Sequence, residues 1–150
     1  MTRQEAIEEA FKEAMKKQDK VRITALRLLR TALKNRSVEK RGPLDDGEVV
    51  AVLRGLIRQG QDAVRQFEEG GRMDLADKER GELEVLSGFL PPAASPQEVE
   101  ETIERVIRET QAGGMKDMGK VMKAVMAALS GRADGQTIQA RVKEKLSSLT

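Results

Sequence analysis

Three short boxes decide most of what this chain can become: TRQE at Thr2 to Glu5, DDGE at Asp45 to Glu48, and SPQE at Ser95 to Glu98. In each, a side-chain oxygen can accept from the backbone N–H three residues on, and the Glu at that third position can reach back to the first residue. The last box adds proline at the first helical position, where a missing N–H removes no hydrogen bond. Glycine and proline clusters close what the boxes open: RGP at 41–43, GGR at 70–72, LPPAASP at 90–96, GG at 113–114 and GRADG at 131–135. The spacing predicts about seven helices, near 3–17, 19–41, 46–69, 73–89, 96–110, 116–130 and 135–148.

Nothing in the composition competes with helix. Ala, Leu, Glu, Lys, Arg and Gln dominate, Tyr and Trp are absent, and the β-branched residues do not alternate, so the class is all-α and multihelical. The prolines around 91–96 predict an N-terminal helical domain over 1–90 and a small C-terminal three-helix bundle over 95–150, the latter near the lower size limit for independent stability. The apolar runs are too short to span a membrane, and MTRQEAIEEAFKEAM lacks the uninterrupted apolar region of a secretory signal. A monomeric, cytoplasmic protein with no membrane partner is the expectation.

Cysteine and histidine are both missing, which removes disulfides, thiolate chemistry, and the commonest general base and metal ligand. Phosphate-binding, dinucleotide and zinc-protease motifs are also missing. No catalytic residue, metal or cofactor is therefore expected, and the chain reads as a non-enzyme.

The net charge of +2 hides a strong division along the chain. Residues 16–41 carry ten basic and two acidic groups, and 112–150 carry seven and three; 42–90 carry six and eleven, and 91–111 two and five. Concentrated positive segments separated by acidic ones suggest surfaces aimed at a polyanion.

At 100° per residue, Val21, Ala25, Leu26, Leu28, Leu29, Ala32 and Leu33 share a broad apolar arc, with Arg27, Arg30, Lys34 and Arg41 on the other side. In the next helix Val49, Val52, Leu53, Leu56, Ile57, Val64 and Phe67 face inward, and Arg54, Arg58 and Arg65 share a strip. Gly60 lies on the inward side, where it would let another helix approach closely. Such ridges are what any amphipathic helix directs to water, but a ridge kept soluble by mixed charge would interleave Glu at i, i+4. Only Asp19 and Glu39 are available in 16–41.

In GGMKDMGKVMKAVMAALSGRADG, Met115, Met118, Met122, Met126 and Leu129 fall in one arc and Lys116, Lys120 and Lys123 in an adjoining one. The methionines read as core, with an adaptable partner-binding strip as the alternative. Gly119 either marks a close backbone approach inside the helix or, if Asp117 is the cap, sits harmlessly in the first turn. Phe11, Phe67 and Phe89 lie on apolar faces and cannot serve as base-stacking platforms. Basic ridges without stacking aromatics fit folded, double-helical RNA, recognised through phosphates, 2′-hydroxyls and shape.

GRMDLADKERGELEVLSGFLPP (71–92 with its leading glycine), followed by MKDMGKVMKAVMAALSGRADG (115–135), resembles the GatB/YqeY family over nearly the whole chain. The resemblance implies a free-standing protein whose C-terminal bundle is similar to the tail of the tRNA-dependent amidotransferase B subunit and to a module appended to some glutaminyl-tRNA synthetases, which helps hold tRNA near its outer corner. A carbon–nitrogen ligase label, with glutamine as amido donor, would belong to the larger enzyme, whose catalytic parts have no counterpart here. By position the resemblance marks Lys116, Lys120, Lys123 and Arg132 as RNA-facing, with Arg141 and Lys143 as additions. Arg27, Arg30, Lys34, Arg54, Arg58 and Arg65 form secondary ridges, and Arg72, Asp74 and Lys78 read as structural pairs between helices. The expected function is a tRNA-binding accessory module. A module docking on an amidotransferase or aminoacyl-tRNA synthetase is the alternative.

Overall fold

The computed structural model of the chain describes residues 1–149. Its elements are α1 (Arg3–Lys17), α2 (Lys20–Lys40), α3 (Asp46–Glu69), α4 (Met73–Ser87), α5 (Pro96–Thr110), a 3-10 turn (Met115–Asp117), α6 (Met118–Leu129) and α7 (Gly135–Ser147), with no strand among the described residues. They divide into two compact units, Met1–Leu90 and Pro91–Thr150.

The boxes work unequally. Thr2 and Asp45 form complete capping boxes with Glu5 and Glu48. Ser95 accepts the Glu98 N–H, but the Glu98 carboxylate is drawn away to Arg132. Glycine closes α3 as expected, with Gly71 at φ 73° and the Arg72 N–H reaching the Phe67 carbonyl at 2.8 Å, but other helix ends do without it. Gln18, Arg41 and Gln111, none of them glycine, take the left-handed conformation at φ 55°, 63° and 55°. Each is followed by a residue whose N–H reaches five residues back: Asp19 to Ala14, Gly42 to Ser37 and Ala112 to Ile107, at 3.0, 3.2 and 3.1 Å. These Schellman closures satisfy the terminal carbonyls.

In the first unit, α3 packs along α4, and α2 is flanked by α1, α3 and α4. Leu26, Leu29 and Leu33 from α2 meet Ile7, Leu53 and Leu86 in one core. Arg3 ties helix ends together, with Nε 3.0 Å from Asp46 Oδ1 and Nη1 donating to the Phe89 carbonyl. Gly60 is buried because Leu83 of α4 occupies the space a Cβ would take. The apolar arc of α2 is narrower than expected: Leu28 and Val21 are 51% and 42% exposed. The neighbouring helices cover the sector around Leu26 and Leu29 and leave its margin open.

The second unit is three helices with three apolar residues each at i, i+3/4, i+7/8 spacing: Val99, Ile103 and Val106; Val121, Val125 and Leu129; Ile138, Val142 and Leu146. This narrows the reading of the methionines as core to the rim of the core for three of them. On α6 the stripe centres on the valines, while Met118, Met122 and Met126 pack on its flank half-buried and Met115 is 39% exposed.

Candidate nucleic-acid interface

The start of α6 sets the geometry of its lysines. The Asp117 side chain makes no cap to α6 and instead accepts the Gly113 N–H at 2.8 Å, while the Asp117 N–H donates to the Gly114 carbonyl at 3.0 Å. The glycine loop therefore folds back on the 3-10 turn, and α6 begins at Met118. Gly119 is the second residue of α6, exposed, with nothing within 4 Å of where its Cβ would lie. The close-approach explanation falls and the first-turn explanation stands.

Lys116, Lys120 and Lys123 are exposed on the side of the turn and α6 away from the valines. Lys143 lies one helical turn before Ser147 on α7, and the Ser147 hydroxyl donates to Met115 Sδ at 3.5 Å, so it shares the flank of α7 that meets the turn. Among the described residues, none of these four lysine side chains has an ion-pair or hydrogen-bond partner. Asp117, three residues before Lys120, is already engaged by the Gly113 N–H.

The two arginines grouped with them are differently placed. Arg132 donates to Glu98, with Nη2 3.0 Å from Oε2, and to the Pro92 carbonyl at 3.2 Å, while its own carbonyl accepts the Ala94 N–H at 2.7 Å. It pins the GRADG loop to the entry of α5. Arg141 lies 3.6 Å from Glu100. Beside it Lys145, which the sequence reading passed over, bridges Glu100 at 2.6 Å and Glu104 at 2.7 Å. The Lys145 hydrogen bond holds the Glu100 carboxyl below its usual range, and Glu100 and Glu104 together raise the Lys145 ammonium. The signal available in advance was the i, i+4 pair of carboxylates on acidic α5 opposite a basic α7.

The secondary ridges divide in the same way. Arg30 bonds Glu8 at 2.8 Å and lies 4.2 Å over the Phe11 ring, so it belongs to the α1–α2 contact. Arg65 pairs with Asp62, and Arg54 and Arg58 each have an interaction partner. Arg27 and Lys34 have none among the described residues. Arg72 and Asp74 pair with each other two residues apart, at 3.1 Å, and do not bridge helices; that bond lowers the Asp74 pKa. Lys78 lies near Glu82, whose pKa burial raises. Among the described residues no three carboxylates gather as a metal site, and no helix is long and apolar enough to cross a membrane.

The chain is similar to "Altered inheritance of mitochondria protein 41, mitochondrial" from several fungi. It is 24% identical to that of Pyrenophora tritici-repentis over 137 residues, covering 89% of this chain and 75% of the relative. For Lachancea thermotolerans the figures are 27% over 139 residues, 88% and 74%; for Saccharomyces cerevisiae they are 27% over 111 residues, 71% and 60%. These relatives are named as mitochondrial proteins, which overturns the expectation of a cytoplasmic protein. The physical reason is that a missing secretory signal separates secreted from non-secreted chains and says nothing about cytosol against organelle. The Yqey-like protein family matches residues 4–146, nearly the whole of the chain, and the chain belongs to that family.

Proposed function

We propose that the protein is a non-catalytic tRNA-binding accessory module that grips the RNA backbone along the α6–α7 edge and serves an amidotransferase or aminoacyl-tRNA synthetase. The observation that carries this reading is the segregation of charge in the second unit. Arg105, Arg132, Arg141 and Lys145 are matched to carboxylates, whereas among the described residues Lys116, Lys120, Lys123 and Lys143 of the α6–α7 edge, and Arg108 on α5, are exposed with no partner. An unmatched ammonium row gains most from a ligand that brings its own negative charge and releases counterions on binding. Lysine point charges without aromatic platforms favour phosphate contacts over base readout, which suits a folded RNA.

The test is tRNA affinity measured across salt concentration for the wild type and for Lys116→Ala/Lys120→Ala/Lys123→Ala. The variant is expected to lose up to about 2.7 from the slope of log K against log salt, at about 0.9 per phosphate contact. An unchanged slope, or equal affinity for duplex DNA of the same charge, would refute the reading.

The half-exposed methionine flank beside the lysines supports a second reading, docking on a protein partner, because methionine adapts to irregular apolar surfaces. Capture of an amidotransferase or synthetase from ribonuclease-treated lysate, lost on Met115→Gln/Met122→Gln, would favour it.

A further inference from the structure

The outward face of α2 carries a second set of cations in the other unit. Lys20, Arg27 and Lys34 recur every seven residues, so each lies about 10.5 Å further along the axis and about 20° behind the last. They form a nearly straight row about 21 Å long. Arg41, also exposed, follows at the left-handed residue that closes the helix. Among the described residues the side chains of Lys20, Arg27 and Lys34 have no ion-pair or hydrogen-bond partner.

This isolation is written into the sequence. The positions three and four residues to either side of each carry Lys, Ile, Thr, Arg, Ser or Val, and no carboxylate. Asp19 is used as the cap of α2, accepting the Arg22 N–H at 3.2 Å. Carboxylates from neighbouring helices neutralise other α2 cations, Glu8 holding Arg30 and Glu48 holding Arg36 and Lys40. The outward row is left charged.

We propose that Lys20, Arg27 and Lys34 form a second RNA-backbone site, on the N-terminal unit and separate from the α6–α7 edge. The proposal rests on the RNA-binding reading above and adds a surface to it. Beside the row run the exposed Thr31 and Asn35, whose hydroxyl and amide suit phosphate and sugar oxygens, while the Thr24 hydroxyl is spent on the Lys20 carbonyl at 2.9 Å. Charge and hydrogen-bonding side chains thus follow one another along a line, as a polyanion backbone requires. A bilayer surface fits less well, because it needs bulky apolar side chains among the cations. Val38 is the one bulky apolar side chain exposed in line with the row, one turn beyond Lys34, while the exposed Val21 and Leu28 lie at the far margin of this face, beyond Thr24 and Asn35.

The test uses the full chain and tRNA, with binding followed by anisotropy across salt. Four proteins are compared: wild type, Lys20→Gln/Arg27→Gln/Lys34→Gln, Lys116→Gln/Lys120→Gln/Lys123→Gln/Lys143→Gln, and the combination. The α2 variant is expected to lose up to about 2.7 from the salt slope, which makes its affinity about 40-fold less sensitive to a fourfold change in salt. The α6–α7 variant should keep residual binding that only the combined variant abolishes. Charge-preserving Lys20→Arg/Arg27→Lys/Lys34→Arg should restore the wild-type slope, which separates charge from folding. An α2 variant with the wild-type slope in both backgrounds overturns the row and leaves the α6–α7 reading standing. A wild type that binds no tRNA at low salt overturns both. Row-dependent binding to vesicles of anionic phospholipid, with tRNA indifferent to the row, assigns the face to a membrane and overturns the proposal.

Discussion

Gly60→Ala sets two quantities of known sign against each other. In the middle of a 24-residue helix, Ala is favoured over Gly by about 1 kcal/mol. The added Cβ, however, would lie 3.0 Å from both Leu83 Cγ and Glu79 Oε1, inside the ~3.5–4.0 Å at which carbon atoms pack without repulsion. Leu83 lies at the α3–α4 contact but is only half-buried, so a rotamer change can relieve part of the clash. Overpacking of this kind costs about 1–3 kcal/mol, which leaves Gly60→Ala destabilising by up to about 2 kcal/mol. In a Leu83→Ala background only the flexible Glu79 carboxylate still meets the Cβ and can turn aside, so the same substitution should stabilise by up to about 1 kcal/mol. The coupling between the two positions therefore equals the steric term, about 1–3 kcal/mol. The chain has no Trp or Tyr and folds as two units, so a single optical melt would mix them. Native-state hydrogen exchange at the Leu53 and Val64 amides reads the first unit alone. If Gly60→Ala stabilises equally in both backgrounds, Leu83 does not fill the glycine notch and the reasoning is wrong.

Val125→Ala should destabilise the second unit by about 2 kcal/mol or more, and Met122→Ala by clearly less; exchange at α6 amides that ranks them the other way would restore the methionines as core. Gln111→Gly removes a left-handed side-chain penalty of about 1–2 kcal/mol while loosening the unfolded chain by about 0.4–1 kcal/mol, for a net gain of about 0.5–1 kcal/mol in chemical melts of the second unit. The folded Glu100 pKa is depressed below 4.5, so its contribution is present above 4.5 and is lost as pH falls through the folded value; Lys145, raised above 10.5, contributes fully below 10.5 and is lost as pH rises through its own folded value. Thermal midpoints of the second unit, followed by amide NMR from about pH 3 to about pH 7, should show an acid limb that Glu100→Gln flattens.

Helix count and placement were legible because their causes are local: Thr2, Asp45 and Ser95 each satisfy an N–H three residues away, and proline is kept out of helix interiors. The all-α class and the outward direction of Lys116, Lys120 and Lys123 were legible for the same reason. The left-handed ends at Gln18, Arg41 and Gln111 were not, since no residue type announces them when glycine is not used. Tertiary structure alone decided what depends on residues distant in sequence. Arg132 is matched by Glu98, Arg141 by Glu100 and Arg30 by Glu8, so two cations that the resemblance marked and one that periodicity placed on a basic ridge are occupied. Leu28 is exposed because no neighbouring helix reaches it, and the valines of α6 displace its methionines from the centre of the core because α5 and α7 meet α6 on that side. A sequence fixes which side chains share a helix face, but the helices that pack against that face decide which of them become core, which cations are neutralised, and which remain free to bind a polyanion.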